Sequence, residues 1–150
     1  MIEYKINSCK YNIKEFIKKI ADEFNIDYWD EWLEKQNYEN LKIKPNILVS
    51  CENENELIGI CSIKIISNSD VYLNSFYVIK EYRNMGIGTK LYNMCEKYAK
   101  ENNYKHIILK VDPNFKDAIE FYKNRNYIYD GYNEKRKELN YHKDIEDSIN

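Results

Sequence analysis

The chain has 150 residues, of which 43% are hydrophobic and 32% are charged. These values are typical of a globular domain with a single buried core, and we expect one domain over residues 1–150. Lys and Arg number 23 against 25 Asp and Glu, so the formal net charge is −2. Because non-specific nucleic-acid binding requires a broad basic surface, we expect no nucleic-acid partner.

The cysteines and the apolar segments narrow the function classes further. The four cysteines have no CxxC spacing and only two histidines accompany them, so we predict reduced core thiols and no metal. No apolar segment approaches the roughly 20 residues of a membrane span, and the N-terminus lacks the apolar run of a secretory signal. We therefore expect no membrane partner and a cytoplasmic location.

The first third of the chain predicts a strand, two helices and a second strand. The segment IEYKI alternates like a strand, and apolar residues at helical spacing predict a helix over about residues 13–24. Asn12 is placed to cap this helix, with Glu15 three residues later. A second short helix is predicted around DYWDEWLEKQN, and NILVSC, after Pro45, is predicted to be a strand.

The rest of the chain alternates strands with two helices. The segments ELIGICSIKII and VYLNSFYV, separated by polar turns, extend NILVSC into a meander of three strands. An apolar stripe predicts a helix from Gly88, the apolar HIILKV predicts a buried strand, and a further helix is expected to end near residue 124. The segments YIYDGY and ELNYHK would be two closing strands. This order predicts an α+β fold with a mixed sheet and helices in the crossovers.

One short segment, EYRNMGIGTKLY at residues 81–92, predicts an anion site. A strand, a tight glycine turn and a helix N-terminus leave unpaired backbone N–H groups at the positive end of the helix dipole. Gly86 and Gly88 would allow close approach of a phosphate, and Arg83 and Lys90 could add positive charge. The segment lacks the third glycine of a dinucleotide fingerprint and the Lys-Ser/Thr order of a Walker loop.

The wider context of this motif resembles the Gcn5-related N-acetyltransferase (GNAT) superfamily. The two segments that carry the resemblance are VIKEYRNMGIGTKLY and, about thirty residues later, NFKDAIEFYKNRNY. The acyl-CoA motif of that family is Arg or Gln, two residues, Gly, one residue, then Gly or Ala. Here that motif is Arg83, Asn84, Met85, Gly86, Ile87 and Gly88. The resemblance implies a mostly antiparallel sheet of about six to seven strands, flanked by helices on both faces.

The resemblance also implies acetyl-CoA as co-substrate. In that family the pyrophosphate lies on the backbone amides of this loop. The candidate residues here are those of the motif and the two that follow it, Thr89 and Lys90. The pantetheine arm lies in the gap between HIILKV and the strand that ends at Phe76, Tyr77 and Val78. The amide of Val78 would then stabilise the oxyanion of the thioester carbonyl. The remaining coenzyme candidates follow HIILKV: Asn114 and Ala118.

The same resemblance makes Tyr122 the candidate general acid that protonates the departing coenzyme sulfur. It lies five residues before Tyr127, as in the family pattern FYEKxGF, where Asn126 and Tyr127 replace Gly-Phe. Because Asn tolerates the left-handed backbone conformation, we expect Asn126 to form the same turn as the family's glycine. The alternative role for Tyr122 is packing of its own helix. No general base is assigned, because VYLNSFYV carries no carboxylate; a water relay to an aspartate or an already neutral amine would serve.

The acceptor site is predicted in DYWDEW, where carboxylates beside aromatic rings would suit a cationic amine. The candidates are Asp27, Tyr28, Trp29, Asp30 and Trp32, although the same tryptophans could be core residues. The predicted function is transfer of an acetyl group to a primary amine, of a small cationic molecule or a peptide. The alternatives are a protein lysine or N-terminal acetyltransferase and a non-catalytic acyl-CoA sensor. Members of the family often dimerise, so a homodimer is a further expectation.

Overall fold

The computed structural model of the protein describes residues 1–24 and 35–145. Most of the second predicted helix lies outside these residues. The acceptor candidates also lie outside them: Asp27, Tyr28, Trp29, Asp30 and Trp32.

The described residues form seven strands and three α-helices. The strands are β1 (Glu3–Ile6), β2 (Asn46–Glu52), β3 (Leu57–Ile65), β4 (Asp70–Val78), β5 (His106–Val111), β6 (Ile128–Asn133) and β7 (Glu138–Asp144). The helices are α1 (Ile13–Phe24), α2 (Ile87–Glu101) and α3 (Lys116–Lys123), with short 3-10 helices at Tyr38–Lys42 and Lys80–Tyr82. The predicted strands and helices match this order to within a few residues; α2 begins one residue before Gly88.

All seven strands belong to one sheet with the order β1-β2-β3-β4-β5-β7-β6. The pair β4–β5 is parallel, because α2 carries the chain across the sheet between them, and the remaining pairs are antiparallel. The expected mixed, mostly antiparallel sheet is therefore confirmed.

The core lies on both faces of the central strands. Every residue of β2 is buried, as are the first seven of β3. On one face, α2 packs closely, since a Cβ at Gly59 would lie 2.9 Å from Leu91 Cδ1. Because successive side chains of a strand point to opposite faces, the complete burial of Ile58 and Ile60 shows that the other face is covered too. The predicted stripe of α1 is buried at Ile13, Phe16, Ile17, Ile20 and Ala21.

The four cysteines are free and buried, as predicted. Within the described part of the chain, no helix is long and apolar enough to cross a lipid bilayer.

Candidate active site

The site begins with a gap between the parallel strands β4 and β5. These strands pair only from Asp70–His106 to Leu73–Leu109, although β4 continues to Val78. At the end of the paired region the β3–β4 register shifts, so that Ser62 faces Ser75 and Ile63 faces Leu73. Asn74 is therefore an extra residue in β4, that is, a β-bulge. Because a bulge bends and twists its strand, the remainder of β4 diverges from β5.

A cleft of about 910 Å³ occupies this gap. This volume is typical of sites for small molecules and cofactors. Its walls come from α1, from residues 36–41, from β4 after Val71 with Arg83 beyond it, from the end of β5 through α3, and from the β6–β7 hairpin. The lining includes Ile20, Phe24, Tyr38, Tyr72, Asn74, Phe76, Tyr77, Val78, Lys110, Asp112, Asn114, Ala118, Tyr122, Arg136, Lys137 and Glu138.

The backbone of Val78 faces this gap. In an extended strand, successive N–H groups point to opposite sides. The N–H of Ile79 donates to the Ile58 carbonyl on β3, at 3.0 Å, so the N–H of Val78 points away from β3. The Val78 carbonyl lies on the same side and accepts a hydrogen bond from Arg83 Nε at 3.0 Å. This orientation is the one that an oxyanion donor requires.

The glycine loop adopts the conformation that its sequence predicts. Asn84 has φ +62° and Gly86 has φ +81°, and α2 begins directly afterwards. The first helical hydrogen bond runs from the Lys90 N–H to the Gly86 carbonyl, at 3.1 Å. A Cβ built on Gly86 would have no atom within 4 Å, whereas one on Gly88 would make ordinary contact with Phe76. The outer side of Gly86 is therefore open, beside the amides of the first helical turn.

The two predicted cations of the loop already have partners within the chain, and Arg83 also lines the cleft. Arg83 forms a bidentate ion pair with Glu23 of α1 and lies over the Phe24 ring. Lys90 lies over the ring of Tyr4, with Nζ 4.1 Å from its centroid. Arg83 is thus engaged in holding α1 to the end of β4. Met85 is exposed.

A cation that sequence reasoning missed lies at the start of α2. The Arg125 guanidinium donates to Thr89 Oγ1 at 3.3 Å and stacks 3.5 Å from the centroid of the Phe121 ring. Arg125 occupies the variable position of the FYKNRNY segment, so only the packing of α3 against α2 reveals it. Asn126, at the next position, has φ +68°, as the substitution for glycine predicted.

Tyr122 lies on α3 and lines the cleft, with 6% of its surface exposed. Burial, followed by the nearby groups of Cys61 and Tyr77, raises its pKa well above the usual value of a tyrosine. The phenol therefore stays protonated at neutral pH, as a general acid must. Its ring packs against Phe121 and Tyr127, with centroids 5.8 and 5.3 Å away.

The other predicted coenzyme residues either line the cleft or pack against the aromatic rings beside it. Phe76 packs on Tyr92 and Phe121 at 6.2 and 5.2 Å, and Tyr77 lines the cleft, where burial raises its pKa to about 12. Asn114 and Ala118 line the opposite wall. The described residues contain no group of three or more His, Cys, Asp or Glu side chains placed to hold a metal ion.

Comparison with known proteins identifies this architecture. The model of the acetyltransferase (GNAT) family matches residues 14–127. The chain belongs to this family. Both the resemblance and the fold that it implied are thereby confirmed.

Individual relatives of this GNAT chain agree with that assignment. An N-acetyltransferase of Acanthamoeba polyphaga mimivirus, described as uncharacterized, is 37% identical over 73 residues, which are 49% of this chain. The match spans only 17% of that curated relative. A GNAT acetyltransferase from Staphylococcus aureus Mu50 is 25% identical with a TM-score of 0.78, covering 97% of this chain and 100% of that one. PaiA N-acetyltransferase from Thermoplasma acidophilum, solved with coenzyme A, shares the fold at 18% identity and TM-score 0.75, over 96% of this chain and 99% of that one.

Proposed function

We propose that this chain transfers an acetyl group from acetyl-CoA to the primary amine of a small cationic molecule. The observation that carries the proposal is the gap opened by the bulge in β4, where the Val78 N–H and the Tyr122 side chain border one cleft. The Val78 N–H can stabilise an oxyanion, and the Tyr122 hydroxyl can protonate a leaving sulfur. Membership of the GNAT family supports acetyl-CoA as the donor.

The coenzyme would extend from the glycine loop into this gap. Its pyrophosphate would lie over Gly86 on the amides of Ile87, Gly88 and Thr89, where the helix dipole favours negative charge. Arg125, beside Thr89, would add positive charge near the pyrophosphate, together with Arg83 and Lys90. The pantetheine arm would run between β4 and β5 toward Val78, with Asn114 and Ala118 on the opposite wall.

The reaction then uses two groups of the chain. The amine nitrogen attacks the thioester carbonyl carbon, and the Val78 N–H stabilises the oxyanion that forms. As the C–S bond breaks, the Tyr122 hydroxyl gives its proton to the sulfur, and the new amide nitrogen returns its surplus proton to the phenolate. The two proton movements together leave neither a thiolate nor a phenolate in the cleft, where burial disfavours both anions.

The test is acetyl-CoA-dependent release of free thiol with a panel of polyamines, aminoglycosides, amino acids and short peptides. We expect turnover confined to one class of small amine, with a matching N-acetylated product by mass spectrometry. Turnover only with peptides that carry lysine or a free N-terminus would indicate a protein acetyltransferase instead. Tight binding of coenzyme without turnover in any arm would refute the enzymatic proposal and favour a sensor.

A further inference from the structure

The register of β3 and β4 shows which side chains of the cleft lie on each face of the sheet. Phe76 pairs with Cys61 of β3, and Tyr77 pairs with Ile60. Successive side chains of a strand point to opposite faces. Phe76 points to the face that α2 covers, because its ring packs on Tyr92 of that helix. Tyr77 therefore points to the opposite face.

On this opposite face the cleft has an apolar wall. The helix α1 contacts both β4 and the 3-10 helix that follows residue 37. These two helices and β4 line the cleft with five apolar or aromatic side chains, which we call the apolar wall: Ile20, Phe24, Tyr38, Leu41 and Tyr77. Tyr38 and Tyr77 are near each other, because, after burial, the charge of Tyr77 raises the pKa of the Tyr38 phenol. The wall is thus formed by residues that are distant in the sequence.

The aspartates of the cleft belong to a different wall. Asp117 is on α3, and α3 lies on the face of α2 because its Phe121 ring packs on Phe76 at 5.2 Å. Asp112 accepts the Asn114 N–H at 2.8 Å, in the turn before α3. Both carboxylates are therefore contributed by the α3 side of the cleft, whereas the apolar wall comes from the other face of the sheet.

The other charged side chains also lie outside the apolar wall. Arg83 lies over the Phe24 ring, and its charge is paired with that of Glu23. The remaining charged residues of the cleft come from the end of β5, the start of α3 and the β6–β7 hairpin: Lys110, Lys116, Arg136, Lys137 and Glu138. The apolar wall, within the described part of the chain, thus has no side chain that is charged at neutral pH.

The apolar wall borders the reaction site. Tyr77 directly precedes Val78, whose N–H points into the gap between β4 and β5. Tyr122 is near Tyr77 as well, because, after burial and Cys61, the charge of Tyr77 raises the pKa of Tyr122. An amine that attacks a thioester carbonyl beside Val78 would therefore have its carbon skeleton next to this wall.

We propose that the apolar wall binds the carbon skeleton of the acceptor, which is a primary amine carried by an aromatic or branched aliphatic group. This assignment rests on the proposed function and specifies its substrate class. Burial of hydrocarbon against apolar side chains is favourable because it removes apolar surface from water. A hydroxyl or a second ammonium group at the same position would lose its hydration without gaining a charged partner.

Two amines that each carry one ammonium group test the assignment without requiring turnover. We would titrate 2-phenylethylamine and ethanolamine separately into protein saturated with coenzyme A, and follow binding by calorimetry. We expect 2-phenylethylamine to bind at least about tenfold more tightly, because a phenyl group replaces a hydroxyl. Tyr38→Ala and Tyr77→Ala should each remove most of this preference. Tyr77→Phe, which keeps the ring, should retain it.

Asp117→Asn provides the matched control, because it removes a charge of the cleft from the other wall. It should leave the preference for 2-phenylethylamine unchanged. In steady-state kinetics, Tyr77→Ala should raise the KM for 2-phenylethylamine much more than that for ethanolamine. General damage to the fold would instead raise both values equally.

Three results would overturn the assignment. They are the absence of saturable 2-phenylethylamine binding, equal affinities for the two amines in the wild type, and an undiminished preference in both alanine variants. The preference for 2-phenylethylamine without acetyl transfer to any amine would instead refute the proposed function. The two failures are distinguishable because the binding measurement is independent of turnover.

Discussion

Tyr122 is the residue on which the proposed chemistry depends most. Tyr122→Phe removes the hydroxyl and keeps the ring contacts with Phe121 and Tyr127. We expect turnover to fall by about 10²- to 10⁴-fold, the usual contribution of a general acid, with acetyl-CoA affinity nearly unchanged. Thiol release and calorimetric titration measure the two quantities. Wild-type turnover in this variant would leave Tyr122 with a packing role only.

Tyr127→Phe separates packing from catalysis. Its hydroxyl lies 2.8 Å from the Tyr92 hydroxyl, and both rings are buried. Its removal leaves the Tyr92 hydroxyl without this partner, so we expect the free energy of unfolding to fall by about 1–3 kcal/mol. Turnover of the folded variant should stay close to wild type. Denaturant unfolding and thiol release together check this, and a large loss of turnover at normal stability would move the acid role to Tyr127.

At the scale of elements, the turn into α2 is the first feature to test. Gly86→Val puts a β-branched residue at φ +81° and a side chain in the open space over the turn. We expect coenzyme binding to be lost or weakened by more than about tenfold, because the side chain would occupy the position proposed for the pyrophosphate. Gly131→Val is the control, since Gly131 has φ +128° on β6 and equally open surroundings. Normal coenzyme affinity in Gly86→Val would contradict the assignment of the loop.

Gly59 and Gly88 form a second matched pair, at the contact of α2 with the sheet. A Cβ at Gly59 would lie 2.9 Å from Leu91 and 3.1 Å from the Tyr77 carbonyl, whereas one at Gly88 meets nothing closer than 3.5 Å. Gly59→Ala should therefore destabilise the chain by about 1–3 kcal/mol. Gly88→Ala should be neutral or stabilise it by up to about 1 kcal/mol, because alanine favours helix. Denaturant unfolding checks both, and equal stabilities would contradict the close packing of α2 on β3.

The elements themselves could be predicted from the sequence, whereas the partners of many side chains could not. Periodicity and turn residues fix strands and helices locally, which is why β2 to β5 and α1 were predicted with nearly their observed bounds. The pairing of Arg83 with Glu23, 60 residues away, is one such contact. Arg125 and Thr89 are 36 residues apart. Such contacts arise only when distant elements pack, and no local pattern encodes them.

At the scale of the whole molecule, buried tyrosines and cysteines predict sensitivity to alkali. Burial raises the pKa of Tyr77 and of Tyr4 to about 12, and that of Cys61 is raised as well. In the unfolded chain tyrosine ionises near pH 10 and cysteine near 8.5. Above those values the unfolded state loses protons that the folded state keeps, so stability falls as the pH rises.

The expected result is a thermal midpoint that declines progressively from about pH 9 to about pH 12. Circular dichroism melts would measure it, with near-ultraviolet absorbance reporting phenolate formation at the same step. Ionisation of the buried phenols well before unfolding, at the value of free tyrosine, would contradict this expectation.

The bulge at Asn74 makes the existence of the cleft depend on the length of one strand rather than on the identity of a side chain. Deleting this residue would restore regular β3–β4 pairing. The strand β4 would then pair with β5 along its full length, and the gap between them would close. Point substitutions along the walls would leave the gap open while changing which acceptor can bind there. The same scaffold can thus exchange its acceptor by replacing lining residues one at a time, whereas a single-codon deletion would remove the site altogether.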